Sequence, residues 1–172
     1  SMHGIEQTEN RHDFEDLLID QEIDHPKGDT AMNAQEAHKI ANKLGFPVLV
    51  RPSFVLGGKG MAIVHNDNEL DEYLIPALKA SAGQPILIDQ YIPGTECEVD
   101  ILSDGQEVFV PGIMEHLEGA GIHSGDSIAM YPPQTLTDSQ KDRIVAIATK
   151  IGKKVHAVGM MNIQFIVANN TV

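Results

Sequence analysis

The segment PVLVRPSFVLGGKGMAIV, residues 47–64, places short apolar runs on both sides of a glycine-rich loop. Continuous apolar runs of this length are typical of buried strands, and Pro52 ends the first run. We therefore expect two strands joined by a loop, with no helix after the loop. The loop is not a Walker A motif, because neither Ser nor Thr follows Lys59, and it lacks the glycine spacing of a dinucleotide fingerprint.

This loop and the residue at the end of the first strand are candidates for binding an anion. Gly57 and Gly58 allow backbone N–H groups to approach phosphate oxygens, and Lys59 adds a positive charge. The alternative is that this loop is only a flexible hairpin tip and binds no anion. Arg51 ends an apolar strand, where arginine is rarely buried without a partner. It serves either as an anion clamp or as half of a structural ion pair.

Helical and strand patterns alternate along the rest of the chain, which indicates an α+β fold. Asn33 and Thr137 each begin a capping motif, with Glu36 and Gln140 three residues later. Apolar spacing and these caps predict helices over 9–19, 34–44, 68–80 and 138–155. Apolar or alternating runs predict further strands over 85–89, 96–101, 107–114 and 160–167.

The last residues predict a turn and the beginning of another strand. Asn169 and Asn170 follow a strong strand and are typical turn residues, after which Thr171 would start a returning strand. Because the partner of the last strand is not in the sequence, we expect the chain to be a fragment of a longer protein.

The composition limits the class of protein and the kinds of partner that it can bind. The 172 residues carry 12 basic and 25 acidic side chains, a formal net charge of −13, and suit one domain or two small lobes. No basic stripe can neutralise a nucleic acid, and no apolar run approaches the ~20 residues of a membrane helix. The single cysteine, Cys97, allows no internal disulfide, so we expect a cytoplasmic location. Residues 1–4 look like a tag remnant rather than a signal peptide.

Two carboxylates flank a break in the strand pattern near residue 92. The extended segment after Asp89 can offer backbone groups to an adenine edge, and Glu96 can accept hydrogen bonds from ribose hydroxyls. A strand with one solvated face is the alternative, and Glu98 and Asp100 fit that alternative equally well.

Three further polar residues stand out from their surroundings. His123 lies in a glycine-rich stretch, where it can bond a transferring phosphoryl group or lie at the surface. Asn162 and Gln164 share one face of an otherwise apolar strand. Buried amides without partners would each cost about 1–3 kcal/mol, whereas amides facing a hydrated cation would not. Carbonyl oxygens suit Mg²⁺, which also takes carboxylate ligands.

Several of these motifs, in the same order along the chain, resemble those of the carbamoyl phosphate synthetase large-subunit family. The likeness rests on the stretches Val50–Gly58, Leu87–Asp89, Gly112–His116, Gly121–Ser127 and Met161–Phe165. That subunit contains two ATP-grasp units, and this chain is more similar to the second, which phosphorylates carbamate, than to the first, which phosphorylates bicarbonate.

The resemblance implies an α+β ATP-grasp fold of two lobes, with a nucleotide cleft between their antiparallel sheets. Residues 1–25 would be a tag remnant and an N-terminal helix, residues 26–90 the small lobe with the glycine-rich loop, and residues 91–172 a truncated large lobe. In the family, the strand that follows the one with Asn162 and Gln164 supplies a glutamate and an asparagine that complete the metal site. We therefore expect this chain alone to be inactive.

The resemblance also implies roles for individual residues. Arg11 and Arg51 would contact the nucleotide phosphates. The glycine-rich loop with Gly57 and Gly58 would be a mobile loop that covers these phosphates. The adenine hinge would run from Asp89 to Ile92, where Gln90 departs from the family pattern, and Glu96 would bind the ribose. Arg51, His123 and Asn162 would be catalytic, and Gln164 would be a metal ligand. The nucleotide-binding set is Arg11, Arg51, Gly57, Gly58, Lys59, Asp89, Gln90, Ile92, Glu96, Gly121, Ile122, His123, Ser124 and Gln164.

The implied activity of the parent is ATP-dependent phosphorylation of carbamate to carbamoyl phosphate, for arginine and pyrimidine biosynthesis. ATP and Mg²⁺, or Mn²⁺, would be the cofactors, carbamate or bicarbonate the substrate, and a small glutaminase subunit the partner. Two alternatives stay open. One is the bicarbonate-phosphorylating half or another ATP-grasp ligase, such as a biotin carboxylase-type unit. The other is a non-catalytic nucleotide-binding module.

Overall fold

The computed structural model describes residues 10–52, 61–81, 83–122 and 127–172, together with Gly4 and Thr8. The expectations for Gly57, Gly58, Lys59, His123 and Ser124 therefore lie outside the described residues. The helices are α1 (Arg11–Asp20), α2 (Ala34–Leu44), α3 (Asp67–Ala80) and α4 (Asp138–Lys154). The strands are β1 (Gly28–Ala31), β2 (Val48–Pro52), β3 (Ala62–Val64), β4 (Ile86–Gln90), β5 (Thr95–Asp104), β6 (Val108–Phe109), β7 (Met114–Gly119), β8 (Ala129–Met130) and β9 (Val158–Val167).

These elements form two compact units, each with its own antiparallel sheet. The first unit comprises Pro26–Ile92 and Gly121–Ser127. The second comprises the residues up to His25, Pro93–Ala120 and Ile128–Val172. In the described part of the chain, none of the helices is long and apolar enough to cross a lipid bilayer.

The first unit is a four-stranded sheet in the order β1-β4-β2-β3, with α2 and α3 packed on one face. Strands β2 and β3 pair antiparallel, with Val48 opposite Val64 and Val50 opposite Ala62. This pairing confirms the two predicted strands, whereas residues 53–60 between them lie outside the described residues. Alternate residues of β2 and β4 are buried against the helices, because successive side chains of a strand point to opposite faces.

The cap predictions for α2 are confirmed in most respects. The Asn33 side chain accepts a hydrogen bond from Glu36 N at 3.0 Å. The Glu36 carboxylate accepts from Met32 N at 2.7 Å. It thus reaches back one residue further than in a standard capping box. Gly45 ends the helix with a positive φ of 82°, but its ψ is 139°. That ψ lies outside the left-handed helical region.

The second unit is built around the ten-residue strand β5. Strand β9 pairs with β5 along its whole length, whereas β7 and β6 pair with successive parts of β5. Helices α1 and α4 pack on one face, over the alternating residues Cys97, Val99 and Ile101 of β5. The N-terminal segment, which we expected to be separate, thus contributes Leu17 and Leu18 of α1 to this core. The capping box at the start of α4 is present as predicted.

The prediction of one strand over 107–114 is wrong. Strand β6 covers only Val108–Phe109, and the next strand, β7, begins at Met114. Pro111 falls between them and has no backbone N–H to give to the ladder. The chain also passes close to a ring at Gly112, where a β-carbon would lie 2.3 Å from Tyr131 Cε2.

The turn predicted at the end of β9 is confirmed. Asn169 and Asn170 have φ values of 49° and 65°. A type I′ turn requires such positive values at both of its central residues. Ala168 N donates to Thr171 O at 3.0 Å, and Thr171 N donates to Ala168 O at 2.8 Å. Asparagine tolerates this backbone region better than other non-glycine residues, which is why the pair predicts the turn.

A histidine joins the two helices of the first unit. His38 of α2 places Nδ1 2.8 Å from Asp67 Oδ1 and Nε2 2.7 Å from Asp71 Oδ1, both on α3. Hydrogen bonds to Asp71 and then Asp67 raise the pKa of His38 above its ordinary value of 6.5. Both ring nitrogens can donate only in the charged form, so the link depends on protonation.

We expect the free energy of unfolding to fall as pH rises through the raised pKa of His38. The link is fully present below the ordinary pKa of 6.5 and is lost above the folded-state value. Urea unfolding at pH values from about 6 to about 9 measures this loss, and His38→Gln should reduce it. His12→Gln, which changes an exposed histidine of α1, is the control. An unchanged pH dependence in His38→Gln would contradict the prediction.

Candidate functional site

The face of the first sheet opposite α2 and α3, here called the far face of the first sheet, carries Arg51 and Asp89. The register pairs Leu49 with Asp89 and Arg51 with Leu87, so Arg51 and Asp89 are diagonal neighbours on this face. Arg51 Nε lies 3.4 Å from Asp89 Oδ2. The Asp89 side chain is 8% exposed, whereas that of Arg51 is 47% exposed.

This geometry combines the two roles that the sequence left open for Arg51. The buried carboxylate pairs with the guanidinium at Nε, which restricts its orientation. The half-exposed guanidinium can still meet an anion, since arginine carries five N–H donors in a planar fork. Arg51 is therefore in a structural ion pair and is also able to bind a phosphate.

The predicted adenine hinge, Asp89 to Ile92, begins in the last two residues of β4 and is held by backbone hydrogen bonds. Gln90 N donates to Lys27 O at 2.7 Å, and Tyr91 N donates to Pro47 O at 3.4 Å. Among the hydrogen bonds of the described residues, none uses Ile92 N as a donor. The hinge therefore offers one backbone N–H to a ligand at Ile92. The Gln90 side chain is exposed, which fits a segment that acts through its backbone.

Gly121 and Ile122 belong to the first unit although they follow β7 in the chain. A β-carbon at Gly121 would lie 3.0 Å from Ile63 Cδ1 and 3.1 Å from Tyr91 Cε2. Ile63 is opposite Leu49 in the ladder, so it shares the far face of the first sheet with Arg51. The φ of 96° at Gly121 is a second reason why this position takes glycine. The structure thus places the glycine of the predicted phosphate segment beside Ile63 on this face.

The face of the second sheet opposite α1 and α4, here called the far face of the second sheet, is polar. Three carboxylates of β5 alternate along it, and β9 places amides opposite two of them. Asn162 is opposite Asp100, Gln164 is opposite Glu98, and Ile166 is opposite Glu96. The register therefore brings the predicted ribose-binding, catalytic and metal-binding side chains to one face.

The amide of Asn162 is bound by its neighbours on β5. Its Nδ2 lies 3.0 Å from Asp100 Oδ1 and 3.4 Å from Glu98 Oε2. Asn162 and Gln164 are both exposed, so they do not carry the penalty of buried amides. The carboxylates orient the Asn162 side chain with its N–H groups toward β5.

The sequence did not identify a buried histidine on this face. His116 of β7 is 2% exposed, with Nδ1 3.9 Å from Glu96 Oε1 and Nε2 3.6 Å from Glu98 Oε1. Two signals were available: His116 lies in the motif Gly112–His116, and it is separated by one residue from Met114 on the same strand face. Neither signal gives the pairing of β7 with β5 that places the ring between the two carboxylates.

Arg11, the other predicted phosphate-binding arginine, lies on α1 in the second unit. Its Nε is 3.8 Å from Glu15 Oε2, and its side chain is largely buried. Glu15 Oε1 in turn lies 3.5 Å from His25 Nε2. Because α1 packs on the face of the second sheet opposite Glu96, the structure does not place Arg11 on the far face of that sheet.

Two buried titratable groups on the core side of the second sheet have structural roles. Burial raises the pKa of Glu115, but hydrogen bonds from Thr135 and Gln134 outweigh burial and lower it overall. This carboxylate therefore stays charged and fixes the loop before α4. Burial, with the nearby Glu115 and Glu96, raises the pKa of Cys97 to about 12. Its thiol is thus a poor nucleophile at neutral pH.

The described residues contain no group of three or more His, Cys, Asp or Glu side chains arranged to hold a metal ion. Gln164 and Glu98, which face each other across β9 and β5, do offer oxygen ligands. Mg²⁺ favours oxygen and usually keeps several waters, taking one or two protein ligands plus substrate phosphates. These residues therefore fit a magnesium ion whose remaining ligands come from a bound nucleotide and water.

Comparison with known proteins relates the sequence to one family. A family model described as "Carbamoyl-phosphate synthase L chain, ATP binding domain" matches residues 10–172. The carbamoyl phosphate synthase arginine-specific large chain of Lactiplantibacillus plantarum is 54% identical over 170 residues. The match covers 99% of this chain and 17% of that protein, so the chain spans a small part of the length of this relative.

Solved structures with the same fold are similar at low sequence identity. The biotin carboxylase-beta-gamma-ATP complex of Campylobacter jejuni has a TM-score of 0.83 at 21% identity, over 100% of this chain and 40% of that chain. The biotin carboxylase domain of Hydrogenobacter thermophilus 2-oxoglutarate carboxylase, in complex with MgADP, ADP and bicarbonate, has a TM-score of 0.78 at 23% identity. That match covers 98% of this chain and 38% of the other. These are ATP-grasp enzymes, and the predicted ATP-grasp fold is confirmed.

Gly94 lies immediately before β5, where the chain passes close to the end of β9. A β-carbon at Gly94 would lie 2.5 Å from Val167 O, a backbone atom of β9. We expect Gly94→Ala to destabilise the second unit by about 1–3 kcal/mol. Gly119→Ala is the matched control, because its β-carbon would lie 3.8 Å from the nearest atom, Gly94 O. Thermal unfolding of both variants measures the difference, and equal melting temperatures would contradict the prediction.

Proposed function

Since the chain belongs to the family of the carbamoyl-phosphate synthase L chain ATP-binding domain, we propose that it is the nucleotide-binding part of a carbamoyl phosphate synthase large chain. The reaction of the whole protein is ATP-dependent phosphorylation of carbamate to carbamoyl phosphate, which feeds arginine and pyrimidine biosynthesis. The observation that carries this proposal is the register of β5 and β9, which brings Glu96, Asn162 and Gln164 to one face of a sheet.

Residues of the first unit would bind the phosphates and the adenine. The transferred phosphoryl group is stabilised mainly by positioning and by positive charge, with little covalent chemistry from the protein. Arg51, oriented by Asp89 at Nε, supplies such a charge. Ile92 N–H is the hinge donor available to the adenine edge. Gly57, Gly58, Lys59, Gly121, Ile122 and Ser124 complete the proposed phosphate segments.

Residues of the second unit would bind the ribose and the metal. The Glu96 carboxylate accepts hydrogen bonds from the ribose hydroxyls, and Gln164 offers an amide oxygen to Mg²⁺ or Mn²⁺. When bound, the metal neutralises charge on the phosphate oxygens. Asn162, fixed by Asp100 and Glu98, lies beside these groups. His123 would steady the transferred phosphoryl group.

The proposed setting is cytoplasmic, with a small glutaminase subunit as the source of ammonia for the parent enzyme. A bicarbonate-phosphorylating or biotin carboxylase-type reaction is the second candidate, which the fold of the Campylobacter jejuni structure favours. The motif Gly112–His116 favours the carbamate reaction instead. Assays of the full-length parent with carbamate and with bicarbonate distinguish the two.

The ribose role predicts a specific loss of nucleotide affinity. Glu96→Ala should weaken Mg·ADP binding about ten-fold or more, because it removes a charged hydrogen-bond acceptor. Binding of Mg·2′,3′-dideoxy-ADP, which lacks the hydroxyls, should be unchanged. NMR titration of the 172-residue chain measures both affinities even when binding is weak. Glu107→Ala, an exposed carboxylate of the same unit, is the control. An equal change for both nucleotides would refute the ribose role.

The chain spans 17% of the length of its Lactiplantibacillus plantarum relative, and we predict that this part alone has no turnover. We expect the 172-residue chain to bind Mg·ADP weakly and to make no carbamoyl phosphate from ATP, bicarbonate and ammonia. In the full-length parent, Arg51→Ala should lower kcat/KM by a factor of about 10² or more, because a charged contact to the phosphates is lost. Product formation by the isolated chain, or full activity of Arg51→Ala, would overturn these assignments.

A further inference from the structure

His116 lies at the centre of a polar network that joins three strands of the second sheet. Its ring lies between the carboxylates of Glu96 and Glu98, at 3.9 and 3.6 Å from the nearest oxygens. The other oxygen of Glu98 lies 3.4 Å from Asn162 Nδ2, and that nitrogen lies 3.0 Å from Asp100 Oδ1. The network thus runs from the proposed ribose acceptor on β5 to the proposed catalytic amide on β9.

The His116 ring is buried beside two carboxylates that are partly accessible. At 2% exposed, the His116 side chain is fixed in the sheet surface, whereas Glu96 and Glu98 are partly accessible at 12% and 17%. A buried polar ring needs partners for its nitrogens, and these carboxylates lie on both sides of it. Two carboxylates on the same strand face repel each other, and a donor placed between them reduces the repulsion. The ring therefore lies where it can restrict the direction of both carboxylates.

We propose that His116 is a positioning residue that holds Glu96 in the orientation required to accept the ribose hydroxyls. This inference rests on the proposed ribose role of Glu96. His116 itself touches neither nucleotide nor substrate in this proposal. Its effect reaches the nucleotide through Glu96, and through Glu98 it supports the Asn162 side chain.

The test compares Mg·ADP with Mg·2′,3′-dideoxy-ADP by NMR titration of the 172-residue chain. The measured quantity is the ratio of the two dissociation constants, here called the ribose preference. His116→Phe retains an aromatic ring but removes both nitrogens, so the ribose preference should fall by about five-fold or more. The affinity for the dideoxy nucleotide should be unchanged. A merely structural role would weaken both nucleotides and leave their ratio constant.

Three further variants separate the possible outcomes. His116→Gln keeps a donor near Glu96 and should restore part of the ribose preference. Met114→Leu, on the same strand face and without a polar link, should leave it unchanged. In a Glu96→Ala background, His116→Phe should have no further effect on the ratio, because the proposed route passes through Glu96.

The outcomes distinguish this inference from the proposed function. If Glu96→Ala does not change the ribose preference, the ribose role fails and this inference fails with it. If Glu96→Ala abolishes the preference and His116→Phe keeps it, only the positioning role is overturned. Should His116→Phe fail to fold, the ring ¹⁵N signals of His116 in the wild-type chain decide. They should shift with Mg·ADP and stay in place with the dideoxy nucleotide, and identical shifts with both would refute the proposal.

Discussion

The antiparallel ladder between β5 and β9 is the constraint on which the candidate site depends. Ten residue pairs, from Thr95 opposite Val167 to Asp104 opposite Val158, fix one register. Side chains alternate between the two faces of a strand, so a shift of one residue would move every polar group to the other face. The apolar residues Cys97, Val99 and Ile101 are buried against α1 and α4, and this burial favours the observed register. The same register leaves the carboxylates and amides on the far face of the second sheet.

In the first unit, the alternation of side chains along the strands likewise determines the face on which Arg51 lies. Burial of Val48 and Val50 of β2, and of Ile86 and Ile88 of β4, faces these residues toward α2 and α3. The residues next to them in each strand, including Arg51 and Asp89, must then lie on the opposite face. One alternating pattern in each unit therefore sets both the core packing and the face on which the site residues lie.

Much of this arrangement could be predicted from the sequence because it is local. The alternation of Glu96, Glu98 and Asp100, and the spacing of Asn162 and Gln164, give the shared face of each set directly. The asparagine pair after β9 predicts its turn for the same reason. Membership of the family, inferred first from motifs, is confirmed by the match over residues 10–172.

The contacts between distant strands could not be predicted in this way. His116 meets Glu96 and Glu98 only because β7 pairs with β5, and the register of that pair shifts between Thr95 and Cys97. The contact of Arg51 with Asp89 depends on β4 inserting between β1 and β2 in the sheet. Alternation within a strand carries no information about strand order or about such an irregularity. The roles of the candidate site residues stay predictions.

A titration of the amide ¹H–¹⁵N signals of the chain with Mg·ADP tests whether these far-face residues bind a nucleotide. We expect the largest shifts at Ile92 and at far-face residues of both sheets, including Arg51, Glu96 and Gln164. The helix residues Ile144 and Leu74, buried on the opposite faces, should shift little. Shifts confined to the helices, or no shifts at millimolar nucleotide, would contradict the claim that these faces bind a nucleotide.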